Sequence, residues 1–219
     1  MFNCMAFCPF RSFYARQNVP AYFRFLHASP DTPAVDVYVN NNIFARNLGY
    51  RGFTRYFSMA PGVYNIRAYA AGTTTDPLIN VNLNIVPGSI STLAFSGYRS
   101  DLSLETIDEP RQPILPYRTY IRFANLSPNT SSIDVGLSSG RRLFDDIGYR
   151  EVGQYLDIAP GRYTLQLMNS DTGEVILTVP NTNLQPGRFY TVYGIGLTGA
   201  QPQLQVLIPL DGNSYLKAQ

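Results

Sequence analysis

The chain has 219 residues, of which 45% are hydrophobic and only 15% charged, with a net charge of +2. That is apolar mass enough for one large domain or two small ones. The positive charge is too small, and without any Lys/Arg run, to point to nucleic acid. The chain carries 17 Gly, 16 Pro, 16 Tyr and 13 Phe, a mix of turn formers and β-favouring aromatics that predicts many short strands. Lys217 is the one lysine among 17 basic residues; Arg and Tyr are the residues that protein interfaces favour.

The chain opens on MFNCMAFCPFRSFYARQN, which holds both cysteines, Cys4 and Cys8. The apolar run before Pro9 lacks a basic n-region and is too short to span a membrane, so neither a classical signal peptide nor a membrane span is expected here. Four fates stay open for the thiols: pairing with each other, cross-linking of chains, metal binding, or remaining reduced. Two cysteines without further His or Cys nearby make a poor metal site. Residues 1–19 read as an N-terminal arm.

An internal repeat organises the rest. YFRFLHASPDTPAVDVYV at 22–39 answers YIRFANLSPNTSSIDVGL at 120–137, keeping Arg24/Arg122, Phe25/Phe123, Ser29/Ser127 and Asp36/Asp134 in register. LGYR and IGYR, MAPGVY and IAPGRY, and a later Pro-Gly pair continue the match with one residue inserted. Within each copy, Val35, Val37 and Val39 alternate with polar neighbours, and NVNLNIV alternates asparagine with aliphatics, as half-buried strands do. No window of helical length keeps a 3.6-residue period. The expected fold is all-β: two tandem immunoglobulin-like antiparallel β-sandwiches. The boundaries read as 20–109 for the first repeat, 110–117 for a Pro-rich linker, 118–210 for the second repeat and 211–219 for a polar tail. Such a linker is expected to act as an extended, semi-rigid spacer.

The stretch HASPD gathers His27, Ser29 and Asp31, which invites a nucleophilic triad. Same-face neighbours on a strand lie about 6.5 Å apart, however, beyond the reach such chemistry needs. Pro30 favours a turn, and the second copy has Asn125 and Asn129 where the first has His27 and Asp31. What persists is turn chemistry, so His27, Ser29, Asp31, Asp36 and Asp134 are expected to be structural. A calcium site at Asp31 and Asp36 is short of ligands. Asp108-Glu109 and Asp145-Asp146 are adjacent acids with no evident match in the other copy. Neither a catalytic set, a metal site nor a cofactor is therefore expected. Tyrosines recur in register at Tyr22/Tyr120, Tyr50/Tyr149, Tyr56/Tyr155 and Tyr64/Tyr163, mostly as core or edge packing. The GYR triplets, with Tyr50 and Arg51 in one copy and Tyr149 and Arg150 in the other, are the candidate surface or ligand contacts.

FRFLHASPDTPAVDVYVNN, followed by APGVYNIRAY and a Pro-Gly turn, resembles a bacterial domain-of-unknown-function family whose hallmark is HASPDxPxVDVYV. The resemblance covers about residues 20–210, the second copy as a decayed version. It implies tandem β-sandwiches on exported or cell-surface proteins, without assigned chemistry. The expectation is a non-enzymatic structural or adhesive protein of a bacterial cell or spore surface. It would assemble with itself or with other surface proteins through the arm, with no nucleic-acid partner. The alternative is a carbohydrate- or ligand-binding module.

Overall fold

The computed structural model describes residues 19–216, and the arm cysteines Cys4 and Cys8 lie outside them. The first repeat contains β1 (Ala21–His27), β2 (Val35–Val39), β3 (Asn42–Leu48), β4 (Phe57–Met59), β5 (Gly62–Ala70), β6 (Ile79–Ile85), β7 (Ile90–Ser96) and β8 (Ser103–Asp108). The second repeats the series as β9 (Thr119–Asn125), β10 (Ser132–Leu137), β11 (Arg142–Gly148), β12 (Leu156–Ile158), β13 (Gly161–Asn169), β14 (Val175–Leu184), β15 (Arg188–Ile195) and β16 (Gln205–Leu207). Each repeat makes an outer sheet, β3-β2-β5-β6 or β11-β10-β13-β14, and an inner sheet, β4-β1-β7-β8 or β12-β9-β15-β16. The two sandwiches are those the alternation predicts. One pair in each inner sheet departs from an antiparallel arrangement: β1 runs parallel to β7, and β9 to β15.

The alternation also explains the layering. Phe23, Phe25, Leu93 and Phe95 point to the outer sheet and pack on Val35, Val37 and Ile66 as the first core. Ile121, Phe123 and Val192 do the same in the second sandwich, against Ile133, Val135 and Leu165. The opposite faces of the same inner strands do not meet water. Leu26, Ala28, Ala94 and Ile107 pack on Ala124, Leu126, Tyr193 and Ile195 in a third apolar cluster between the two sandwiches. The β1, β7, β9 and β15 strands are consequently buried on both faces, the condition in which parallel pairs are commonly found.

Two expectations about the ends of the repeats change here. Residues 110–117 do not hold the sandwiches apart as a spacer, because the inner sheets are in contact. Arg111 Nε donates to the Gly88 carbonyl and Tyr120 Oη to that of Pro113. The segment expected to be a polar tail is polar but not exposed: Asp211, Asn213 and Ser214 are buried, since they close the seam between the sandwiches.

Candidate functional site

At the centre of that seam lies a network of buried charges built twice over. Arg24 on β1 points away from its own core; its Nε donates to Thr92 Oγ1 at 2.9 Å, and Thr92 donates on to Glu109 at 3.0 Å. Arg122 on β9 donates to Thr191 Oγ1 at 2.8 Å, and Thr191 donates to Asp211 at 2.6 Å. Tyr56 donates to Glu109 at 2.5 Å, and Tyr155 to Asp211 at 2.6 Å. Each guanidinium also lies over the tyrosine of its own repeat, Arg24 over Tyr56 at 4.7 Å and Arg122 over Tyr155 at 4.5 Å. Each then crosses the seam. Arg24 Nη1 donates to the Leu210 carbonyl at 3.0 Å, and Arg122 Nη1 to the Asp108 carbonyl at 2.6 Å.

The two halves are not equivalent. Arg24 Nη2 reaches Asp211 across the seam at 3.2 Å and sits 3.8 Å from Glu109. Arg122 Nη2 is buried without a hydrogen-bond partner. Gly212 donates its N–H to Glu109 at 2.7 Å, whereas the residue after Glu109 is Pro110, which has no N–H to return. Burial alone would lower the Arg24 pKa, but Tyr193, Tyr56, Glu109 and Asp211 around it raise it, so it stays charged. Burial, and then repulsion from Asp211, push Glu109 above the ordinary carboxylate range.

The sign of this shift sets a pH dependence. Between the ordinary value of 4.5 and the raised one, folded Glu109 holds a proton that the unfolded chain has released. Stability attributable to it therefore grows as pH falls through that window and is flat below 4.5. Glu109→Gln is expected to remove that slope, read from urea midpoints collected across the window.

Tyr193 is completely buried in the seam, and its hydroxyl has no hydrogen-bond partner; burial pushes its pKa up to about 12. An orphaned buried hydroxyl carries a desolvation cost that phenylalanine avoids. Tyr193→Phe should therefore stabilise the fold by about 1 kcal/mol in chemical denaturation.

The GYR triplets form the other end of the seam. Arg51 and Arg150 both adopt left-handed backbone, at φ 71° and 66°. Their turns are clamped to the ends of β1 and β9 by Arg51 N–H to His27 O and Arg150 N–H to Asn125 O. Tyr149 Oη is 3.2 Å from Ser96 Oγ, across the seam. Arg150 Nη2 donates to the Asp101 carboxylate at 3.3 Å, and its Nε is 3.2 Å from Glu105. Tyr50 packs against the seam cluster, with its hydroxyl buried. Of the four candidate surface contacts, Arg51 is exposed and the other three are half-buried at the junction of the repeats.

The HASPD residues do not converge on one another. His27 Nε2 lies 3.0 Å from the Pro33 carbonyl; since a carbonyl only accepts, the proton sits on Nε2. Burial lowers the His27 pKa, which favours the neutral ring. Ser29 Oγ pairs with Thr32 Oγ1 at 2.6 Å, and Asp31 accepts from Arg99 N–H at 2.7 Å. Asp36 accepts main-chain N–H groups from Asn47 at 2.7 Å and Gly72 at 2.9 Å. Asp134 accepts from Asp146 N–H at 2.8 Å and Ser170 Oγ at 2.7 Å, with Arg142 at 2.7 Å. Asn47 and Asp146 are themselves left-handed, at φ 51° and 54°, where β3 and β11 shift register against β2 and β10, so each aspartate pins the bulge of an edge strand in its outer sheet. Among the described residues no cluster of three or more His, Cys, Asp or Glu is placed to hold a metal ion. No helix there is long and apolar enough to cross a membrane.

Sequence reasoning named Glu109 only as an acid without a match in the other copy, and missed Asp211, which is that match. They are counterparts, each donating its N–H to the inner strand of its own repeat, at Ile90 O and Phe189 O. Extra residues before β16 move the repeat offset from 99 to 102 and hide the match.

The repeat that builds this seam matches the domain of unknown function DUF4397 twice, over residues 21–136 and 119–216. The chain belongs to the DUF4397 family. The first DUF4397 match takes in the first sandwich and runs on into β9 and β10, and the second covers the second sandwich. No curated protein matches the chain. Among solved structures it is similar to the TIE protein of Bacillus anthracis, at 10% identity and TM-score 0.27, over 82% of this chain and 34% of that one. It therefore spans about a third of that protein's length. It is also similar to a family-26 carbohydrate-binding module of Eubacterium rectale Amy13K in complex with maltoheptaose, at 14% identity and TM-score 0.25, over 86% and 96%. The fimbrial anchor protein Mfa2 of Porphyromonas gingivalis matches at 12% identity and TM-score 0.27, over 88% and 98%. Likeness at this level says nothing of this chain's ligand or partner.

Proposed function

We propose that this DUF4397 protein is a non-enzymatic structural subunit of a bacterial cell or spore surface, one that assembles with copies of itself through residues 1–18. The observation that carries the reading is the seam. The repeat-wide Arg, Thr, Tyr and acidic residues join the two sandwiches into one body, and the HASPD side chains hold turns. A fused double sandwich is a fitting building block, and a segment rich in Phe, Met and Cys is a fitting connector, by strand addition or thiol cross-linking. Negative-stain electron microscopy of the full chain with and without reductant, beside a chain lacking residues 1–18, tests this. Polymers that require the arm support it; single particles at high concentration in every condition overturn it.

One observation favours a second reading, glycan binding. The outer face of the first sandwich carries Tyr38 edge-on to Tyr69 at 5.5 Å, Arg67 over Tyr69, and Asn65 bridging Asn80 and Asn82. In the second sandwich, Gly136, Met168, Gln166 and Thr164 stand at the positions of Tyr38, Tyr69, Arg67 and Asn65. Planar amides with an Arg–Tyr pair suit sugar hydroxyls and ring faces. Saturable glycan binding lost in Tyr38→Ala would favour this reading; flat arrays would remove it.

A further inference from the structure

The two outer sheets end in equivalent edge strands, β6 and β14, that treat their edges differently. An open edge invites another strand, and proteins blunt it with proline, charge, bulges or shortness. β14 contains Pro180, turns left-handed at Asn181 (φ 58°), and pairs with β13 through two register shifts. β6, INVNLNI, has no proline and no charge, and pairs with β5 over seven residues without a break. The other described edges are blunted too. β4, β12 and β16 have three residues each. β3 and β11 are irregular in register and carry charge, and β8 carries Glu105 and Asp108.

The groups that β6 offers can be named. Asn40 N–H donates to Asn65 O, which turns the main chain of Asn65 toward β2. Ladder alternation then turns Tyr64 and Ile66 toward β6, where Leu83 and Val81 are their partners. The main-chain N–H and C=O groups of Asn80, Asn82 and Asn84 therefore face outward. All three residues are exposed, and Val81, paired with core residue Ile66, is still 39% exposed at the mouth of the sandwich.

We infer that β6 is the acceptor edge for residues 1–8 of a second copy of this chain, an inference that rests on the assembly reading above. MFNCMAFC has no charged side chain and no proline, is followed by Pro9, and is one residue longer than β6. The chain enters the described fold at Val19, whose carbonyl accepts from Gly88 N–H in the turn that follows β6. Ten residues, 9–18, separate that segment from Val19, and ten residues reach at most about 33 Å, enough for a neighbouring copy to lie within range. A donor segment at one place and an acceptor edge at another make a head-to-tail contact, which propagates unless the rotation closes a ring.

Two full-length variants test this. Asn82→Pro removes an outward N–H while leaving the β5–β6 ladder in place, as proline on an edge strand allows. Met5→Pro disables the donor. Each alone is expected to abolish polymers seen by electron microscopy and sedimentation, with a thermal midpoint near that of wild type showing that the body still folds. Mixed one to one, they should give dimers and nothing longer, since one supplies only a donor and the other only an acceptor. Polymers from Asn82→Pro but not from Met5→Pro would overturn the acceptor assignment and leave arm-driven assembly standing. Polymers from Met5→Pro but not from Asn82→Pro would mean edge-to-edge pairing of β6, which also overturns it. A wild type that stays monomeric removes both readings.

Discussion

Arg24→Ala is expected to destabilise the protein by about 3–5 kcal/mol, the range for removing one partner of a buried ion pair. The Arg24 side chain has one-twentieth of its surface exposed, and those of Glu109 and Asp211 have none. Without Arg24 the two carboxylates would face each other with the orphaned Leu210 carbonyl beside them. Stabilities of folded proteins lie at about 5–15 kcal/mol, so the loss is a large fraction of the whole. Most of it would arise from the unpaired acids rather than from the pair's own net attraction. Arg24→Met combined with Glu109→Gln and Asp211→Asn should therefore recover a large part of the stability. Arg122→Met should cost less, because Arg122 carries no ion pair across the seam and one of its nitrogens is already unsatisfied. Urea denaturation of the three variants measures the order.

Asp36→Ala should cost about 2–3 kcal/mol, because the Asn47 and Gly72 N–H groups lose the acceptor that holds the β3 bulge and the turn after β5. Asp134→Ala should cost a similar amount through Asp146 and Ser170. Asn at 36 keeps the shape but turns an NH2 group against one of the two N–H donors, so it recovers little; at 134 both bonds fall on Oδ1, so Asn keeps them and loses only the Arg142 ion pair. The pH signature is specific. The Gly72 N–H bond, outweighing burial, and then Asn47 and Arg46 lower the Asp36 pKa. Bonds from Asp146 and Ser170, with Arg142, outweigh burial at Asp134 and lower it too. For a depressed carboxylate the stabilisation is complete above the ordinary value and is lost as pH falls through the folded one. It follows that wild type loses stability below about pH 4, and Asp36→Asn should lose less over that range. Glu109 acts in the opposite sense, and in the window above 4.5.

Much of the architecture was legible because period-two alternation and turn residues act locally. Val35, Val37 and Val39 fall in the first core as their spacing requires, and the repeat made two sandwiches the economical reading. What local pattern could not show was the third cluster. Arg24, Thr92 and Leu26 lie opposite the core-facing side chains of the inner strands, and the packing of one sandwich on the other is what buries them. The GYR turns were legible as features shared by both copies; that they face the other repeat depends on the relative placement of two domains, which no local signal encodes. Glu109 and Asp211 were obscured by an insertion, which left one at the last position of the first repeat and the other at the start of the apparent tail. The β6 edge was visible as an alternating strand, but its openness is a comparison with β14, whose Pro180 only becomes meaningful once both are known to be edges.

The central claim is that the DUF4397 repeat residues join two sandwiches into one cooperative unit. Differential scanning calorimetry of the full chain, beside Arg24→Met, tests it most directly. One transition for wild type, with equal calorimetric and van't Hoff enthalpies, and a lowered or divided transition in the variant are the predicted results. Two separate transitions in wild type, unmoved by Arg24→Met, would show that the sandwiches fold independently and would contradict the account.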